Sequence, residues 1–369
     1  DVYKRQAWYR KRFTLPVVGV TGSVGKSSTK EMIAAALSQG KRVHKTAGNY
    51  NSQIGLPLTV FGLDHTHEIA VIEMGMSNFG EMERLSAIAS PTSAVVTNIG
   101  ISHIEQLKTQ ENIRAEKLHI ADTIGEQGAL YLNGDDPMLQ QLRESYTGKI
   151  VWYGMESDCD YQAVNIDTVK DCTRFELHAP FGAHKIMIPA LGLHNVSNAL
   201  AAIAVAYDQG LTLDDIRCGL LTYEGLAMRQ QIHELDKITV IDDSYNASPD
   251  SIKSGIGVLM AVKSTGKKIA VLADMLELGE RSAQAHLELG AYAAASGVDA
   301  VVTVGREAEK IAEGAAEESR KILVKACGTN DEAFAELEKI LNDGDCVLVK
   351  GSRGMHTDEI VQKLLTKYQ

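Results

Sequence analysis

The stretch Val17-Val18-Gly19-Val20-Thr21-Gly22-Ser23-Val24-Gly25-Lys26-Ser27-Ser28 holds residue types that can grip a polyphosphate. Glycines at 22 and 25 let backbone N–H groups turn toward phosphate oxygens, and a helix starting there adds its positive end. Lys26 would reach the outer phosphates, and Ser27 or Ser28 would hold Mg²⁺. The general spacing asks for a glycine five residues before Gly25, where this chain has Val20. A glycine turn with a solvated Lys26 is the plainer alternative. The apolar run before the turn and the Gly-Lys-Ser core favour a nucleoside triphosphate.

Other candidates stand at the ends of apolar runs. Glu73 follows Ile69-Ala70-Val71-Ile72; beside a phosphate loop its carboxylate can bind Mg²⁺, directly or through water. His103 lies just past Ala94-Val95-Val96-Thr97-Asn98 and could ligate a divalent ion, although a lone histidine is more often a surface or core residue. Lys117, in the helical stretch Glu111 to Ala121, reads by itself as a solvated lysine. Asp243 follows Ile238 to Ile241 and can face a ligand, while Ser248-Pro249 opens a helix. Lys350-Gly351-Ser352-Arg353-Gly354 follows Val347-Leu348-Val349. Its cations and glycines suit a carboxylate or phosphate, or else form a plain turn.

These residues need a scaffold that brings strand ends together. Apolar β-branched runs at 17–21, 42–46, 69–74, 94–98, 129–132 and 150–153 alternate with helical patterns at 25–38, 52–61, 80–89 and 110–124. That rhythm predicts parallel strands with crossover helices. Short β-like runs at 175–178 and 185–188 predict a small antiparallel addition, and 194–208 a helix rich in Ala and Leu. A second series has strands at 237–242, 268–273, 300–304, 321–325 and 345–349, with helices such as 283–295 and 331–341. The expected fold class is α/β: a P-loop-type central ATPase domain with a mostly parallel sheet, 16–228, plus a second doubly wound, Rossmann-like C-terminal domain, 229–369. Ligands of such sheets bind at the carboxyl ends of strands. Residues 1–15 read as a residual linker or artefact, since Asp1 to Gln6 shows no helical or strand pattern.

Bulk properties exclude several classes. The net charge is −11 and the one short basic cluster is Tyr9-Arg10-Lys11-Arg12, which disfavours nucleic acid as partner. Five cysteines form no CxxC pair, as expected of reduced thiols in a cytoplasm rather than disulfides or a zinc site. No apolar run reaches membrane-spanning length and no signal peptide is visible. A cytoplasmic monomer with no membrane partner is expected.

The motifs resemble the Mur ligases, the ATP-dependent amide-forming enzymes of peptidoglycan precursor synthesis, over nearly all of 16–369. The resemblance rests on Thr21 to Ser28, on Ala94 to Gly100 followed by His103, on Leu132-Asn133-Gly134-Asp135-Asp136-Pro137, and on Gly192-Leu193-His194-Asn195-Val196-Ser197-Asn198-Ala199. The family's shortened loop pattern accounts for Val20. Within the family, 48–57, 242–249, 274–279 and 348–353 point to the branch that joins D-alanyl-D-alanine to UDP-N-acetylmuramoyl-tripeptide. The Asp-Asn-Pro-Arg expected of the diamino-acid-adding branch is absent. The other readings are a further Mur-type or folylpolyglutamate-like ligase, or an ATP-binding fragment without ligase activity. Because the family carries an N-terminal uridine-binding domain, the chain is expected to be a fragment that begins just after it.

The resemblance implies a set of roles. ATP is the phosphoryl donor and Mg²⁺, two ions, the cofactor. Gly22, Ser23, Val24, Gly25, Lys26, Ser27 and Ser28 hold the triphosphate. Ser27, Glu73, His103 and Lys117 ligate or orient metal, with Lys117 carbamylated. Asn195, Asn198 and Asp243 contact the adenosine part, and Arg229 meets the outer phosphates when the domains close. Lys26, Lys117, His103 and Arg229 are thus the catalytic set, and Asn51, Lys350, Ser352 and Arg353 face substrate.

Overall fold

The structure, a computed structural model, describes residues 2–156 and 158–369. Asp1, the first residue of the expected linker, lies outside them. The chain divides into two compact units. One runs to Ala190 and includes His194–Glu224; the other comprises Leu191–Leu193 and Gly225–Gln369.

The first unit is built on a nine-stranded sheet. Its strands are β1 (Val17–Thr21), β2 (Val43–Lys45), β3 (Ile69–Glu73), β4 (Ser93–Val96), β5 (Ala129–Asn133), β6 (Lys149–Gly154), β7 (Tyr161–Val169), β8 (Cys172–Ala179) and β9 (Gly182–Ile188). The spatial order is β2-β3-β1-β4-β5-β6-β7-β8-β9, parallel as far as β7 and antiparallel beyond it. The central strands are apolar on both faces because both are covered. Val18, Val20, Val71 and Val95 face one core, while Val17, Ala70, Ile72, Ala94 and Val96 face the other. Helices Lys26–Leu37 and Leu193–Asp208 pack into the first of these cores.

Two sequence expectations need correction in this unit. The antiparallel addition has three strands rather than two. β7 was hidden because its buried residues, Tyr161 and Ala163, are few, and its register shifts between Val164 and Asp167, where Asn165 takes φ 52°. The N-terminal segment is not patternless either: Val2–Arg10 is a helix. Polar and aromatic groups anchor it, so no apolar stripe betrays it. Buried Arg10 donates to Ala89 O (2.9 Å), Phe13 O (2.6 Å) and Leu15 O (3.1 Å), and Tyr9 Oη donates to Leu63 O (2.8 Å).

The second unit has a six-stranded sheet of β10 (Gln231–Glu234), β11 (Thr239–Asp242), β12 (Lys268–Ala273), β13 (Ala300–Val304), β14 (Leu323–Cys327) and β15 (Cys346–Lys350). The order is β10-β11-β15-β12-β13-β14, with only β10 antiparallel. The strand expected from 237 starts at Thr239, because Leu235 N–H donates to Ile238 O and closes a tight turn back from β10. Ser248 and Ser251 form a capping box that starts helix Pro249–Ala261. Because β15 lies between β11 and β12, the loops after all three strands meet at one edge of the sheet. Among the described residues, no helix is long and apolar enough to cross a membrane.

Candidate active site

In the first unit β1 pairs with β3 on one side and β4 on the other, with Val20 opposite Glu73 and Thr21 opposite Val96. The glycine loop leaving β1 is therefore walled by the ends of its two neighbours. Gly22 takes φ 147°, and a Cβ there would sit 1.9 Å from Thr97 Oγ1, so glycine is required. Gly25 takes φ 86° and precedes helix Lys26–Leu37. The N–H groups of that helix's first turn have no acceptor within the helix, as anion sites need. Asn98 fastens the loop: its Oδ1 accepts from Ser23 N (3.0 Å) and Val24 N (2.8 Å). Gly100 N donates to Ser23 Oγ at 2.9 Å.

Two lysines converge on one carbonyl. Lys26 Nζ donates to Gly22 O at 2.7 Å, and Lys117 Nζ to the same oxygen at 3.0 Å. Lys117 is fully buried, and burial, reinforced by the charge of Lys26, holds its amine well below the ordinary lysine range. It is not the solvated lysine its helical context suggests. Its neighbour Glu116 accepts from Gly80 N (3.0 Å) and Met82 N (2.9 Å), capping helix Glu81–Ala89 and so fixing the helix that carries Lys117.

Glu73 is buried at the end of β3. Its Oε1 accepts from Ser27 Oγ (3.1 Å) and from Asn51 Nδ2 (2.7 Å). Its Oε2 has no hydrogen-bond donor and lies 4.0 Å from the buried ammonium of Lys30. Lys30 itself donates to Thr46 O at 2.8 Å and pairs with Glu31. A buried carboxylate oxygen without a donor, beside a serine hydroxyl, suits a hard cation. Among the described residues no group of three or more His, Cys, Asp or Glu could hold a metal ion. Mg²⁺ needs no such cluster, since one or two side-chain oxygens, phosphate oxygens and water complete its octahedron. His103 is half-buried with φ 63° at the start of helix Ile104–Leu107, on the loop that also bears Asn98 and Gly100.

Asn195 and Asn198 lie on helix Leu193–Asp208, against the glycine loop. Thr29 Oγ1 donates to Asn198 Oδ1 (2.8 Å), and Asn198 Nδ2 donates to Asn195 Oδ1 (3.2 Å). A Cβ on Gly25 would approach Asn198 Oδ1 to 3.1 Å.

In the second unit the remaining candidates gather at the sheet edge. Asp243 and Lys350 are both buried and form an ion pair of 2.7 Å. Desolvation pushes the Asp243 carboxyl up and the Lys350 amine down, and each charge opposes the shift of the other. Lys350 also donates to Asn246 O at 2.9 Å. The sequence suggests a ligand-facing lysine; the structure encloses it as a tie between the loops after β11 and β15. Ser352 is buried as well, while Arg353 is exposed, its guanidinium 3.8 Å from Asp358. The Arg229 guanidinium lies 4.2 Å from the Tyr245 ring centroid.

The structure thus brings Gly22–Ser28, Asn51, Glu73, Lys117, Asn195 and Asn198 together in one unit, and Arg229, Asp243, Lys350, Ser352 and Arg353 in the other. Sequence reasoning missed Asn98, Lys30, Thr46 and Glu116. Asn98 was findable as the polar end of a strand; the others act through burial, which the sequence does not display.

Similarity to known proteins gives the family. Residues 20–206 match the Mur ligase middle domain and 228–353 the Mur ligase, glutamate ligase domain. The UDP-N-acetylmuramoyl-tripeptide–D-alanyl-D-alanine ligase of Bacillus subtilis (strain 168) is 40% identical over 358 residues, 97% of this chain and 77% of that protein. The enzyme of that name from Escherichia coli (strain K12) is 32% identical, with 97% and 78% covered. A crystal structure of MurF from Acinetobacter baumannii superposes with a TM-score of 0.91 at 31% identity, covering 99% of this chain and 80% of that one. MurF ligase from Thermotoga maritima in complex with ADP gives 0.89 at 29% identity, with 100% and 83% covered. With two family domains matched in order and relatives this similar along almost all its length, the chain belongs to the Mur ligase family.

Proposed function

We infer that the chain is an ATP-dependent, ADP-forming ligase that joins D-alanyl-D-alanine to UDP-N-acetylmuramoyl-tripeptide. The observation that carries this reading is the meeting at one loop of Gly22, Lys26, Lys117 and the Glu73–Ser27 pair. Phosphoryl transfer needs positioning and charge neutralisation more than covalent help, and these groups supply both.

The tripeptide carboxylate attacks the terminal phosphorus of ATP, and ADP leaves. The amine of the dipeptide then attacks the acyl phosphate carbonyl; the C–O bond to phosphate breaks, and the nitrogen loses its proton. Lys26 and the first-turn amides of helix Lys26–Leu37 neutralise the charge that gathers on the transferred group. Ser27 and Glu73, with His103 as the orienting imidazole, would hold Mg²⁺, which when bound draws charge from the phosphate oxygens. Asn195 and Asn198 take the adenosine side in the first unit. Asp243 braces Lys350, and Arg353 receives the dipeptide carboxylate. Asn51 orients Glu73 and the tripeptide end.

Lys117 is read as the site of a carbamate. Burial lowers the amine's hold on its proton and so favours the unprotonated nitrogen, which can bond to the carbon of CO₂ and release a proton. The product is an anionic oxygen ligand in place of a cation. Lys117→Ala should lose most activity and regain part of it with short-chain carboxylic acids; no regain in a folded variant overturns the carbamate. The test of the whole reading is ADP release by the chain with each substrate omitted in turn. Release that needs both the UDP-tripeptide and D-alanyl-D-alanine is expected. Release with neither, or with another amino acid in place of the dipeptide, would reject it.

A further inference from the structure

Asp274–Gly279 has no role in the reading above, yet buried side chains from two other elements hold its backbone. The loop leaves β12 at the sheet edge shared with Lys350 and Arg353. Met275 N–H donates to His286 Nε2 at 2.9 Å. His286 is fully buried, and its Nδ1–H donates to Ser282 O at 2.7 Å; the carbonyl can only accept, so the tautomer is set. One residue on, Leu276 N–H donates to Ser352 Oγ at 2.9 Å, while Ser352 N–H donates to Asp274 O at 3.2 Å. The loops after β12 and β15 are therefore joined by reciprocal bonds. Glu277 at φ 64° and Gly279 at φ 54° turn the chain back, and Leu278 is buried.

What remains outside is Leu276, 48% exposed. A lone exposed leucine is ordinary on a protein surface. This one is held by two backbone bonds on successive residues and lies over Gly354, where a Cβ would meet Leu276 Cδ1 at 3.2 Å. Arg353, the residue before Gly354, presents an exposed guanidinium. A leucine whose backbone is fixed and whose side chain reaches Gly354, one residue from an accessible cation, at the carboxyl ends of parallel strands, suits a small ligand with a carboxylate and a short apolar side chain.

We propose that Leu276 is a specificity-determining residue of the amine-substrate pocket. Its side chain packs on the methyl group of the terminal D-alanine whose carboxylate Arg353 receives, and Ser352 is the positioning residue that holds it there. The inference rests on the proposed dipeptide role of Arg353.

The experiment uses the full chain and compares Leu276→Ser, Leu276→Met, Ser352→Ala and Arg353→Ala with the parent. Each is assayed for ADP release with D-alanyl-D-alanine and with D-alanyl-glycine, and titrated calorimetrically with D-alanyl-D-alanine. Leu276→Ser should raise the dipeptide KM about tenfold or more, as loss of one methyl-sized apolar contact does in an enzyme pocket. It should leave the ATP KM unchanged and erase the preference over D-alanyl-glycine. Leu276→Met should restore both. Ser352→Ala should raise the dipeptide KM while kcat at saturating dipeptide holds. An unchanged dipeptide KM and an unchanged preference in Leu276→Ser, with Arg353→Ala impaired, overturns the proposal and leaves the Arg353 reading standing. Unchanged dipeptide kinetics in Arg353→Ala as well overturns both. Were Leu276→Ser to melt early, Leu276→Ala decides on the same readouts: a raised dipeptide KM with lost preference over D-alanyl-glycine supports the proposal, and parental values of both overturn it.

Discussion

Lys26 and Lys117 share the carbonyl oxygen of Gly22, at 2.7 and 3.0 Å, and their difference in burial separates their chemistry. Lys26 is partly accessible at the start of a helix, and in the proposed reading it is the cation that meets the phosphates. Removing it as Lys26→Ala should lower ATP turnover by about 10²-fold or more, the scale of losing one charge-stabilising donor. Steady-state ADP release checks this, and near-parental turnover would refute the loop assignment. A second residue sets an acid limit. Burial, outweighing the Thr59 carbonyl bond to its Nε2–H, keeps His44 below the usual histidine value of 6.5. Between that depressed value and 6.5 the unfolded chain binds more protons than the folded one, so stability rises with pH there and is lost as pH falls. The first unit should thus melt progressively earlier as the pH falls below 6.5, and His44→Gln should flatten that slope in thermal melts.

At the scale of elements, the loops are fastened by side chains that bond across from neighbouring elements. Glu116 ties helix Gln110–Leu118 to the start of helix Glu81–Ala89, and Asn98 ties β4 to the glycine loop. In the second unit the Asp243–Lys350 pair does the same for β11 and β15. Breaking a buried pair leaves an uncompensated charge, so Lys350→Met should destabilise the second unit by about 3–5 kcal/mol. Asp243→Leu combined with Lys350→Met should recover much of that loss, measurable by denaturant melts of both variants. Most elements were legible as strings of β-branched residues or as Ala- and Leu-rich helical runs, because burial on both faces leaves a continuous apolar record. β7, β10 and helix Val2–Arg10 were not. A bulged strand, a four-residue edge strand and a helix anchored by arginine and tyrosine bury too few apolar residues to show a period.

The whole molecule has two units with separate cores, so its unfolding is not expected to be one all-or-none step. ADP with Mg²⁺ binds, in the proposed reading, to the glycine loop of the first unit. At a hundredfold excess over its Kd it should stabilise that unit by about 2.7 kcal/mol. Differential calorimetry should show the shift in one transition only, and EDTA should remove most of it. An equal shift without metal would count against the Glu73–Ser27 site.

The order of residues along the chain was enough for the α/β class, the glycine turn after β1, the carboxylate at the end of β3 and the family. These are local: each depends on a few neighbours in sequence and on the apolar character of the run that delivers them. Which groups meet depended on strand order. With β1 between β3 and β4, Glu73 and Asn98 flank a loop some fifty and seventy residues away in sequence. Burial likewise gave the residues their chemistry, loosening the proton of the helical lysine at 117 and making an internal tie of Lys350. A side chain's charge and freedom depend on how much water the tertiary packing leaves around it, and no stretch of neighbouring residues carries that information.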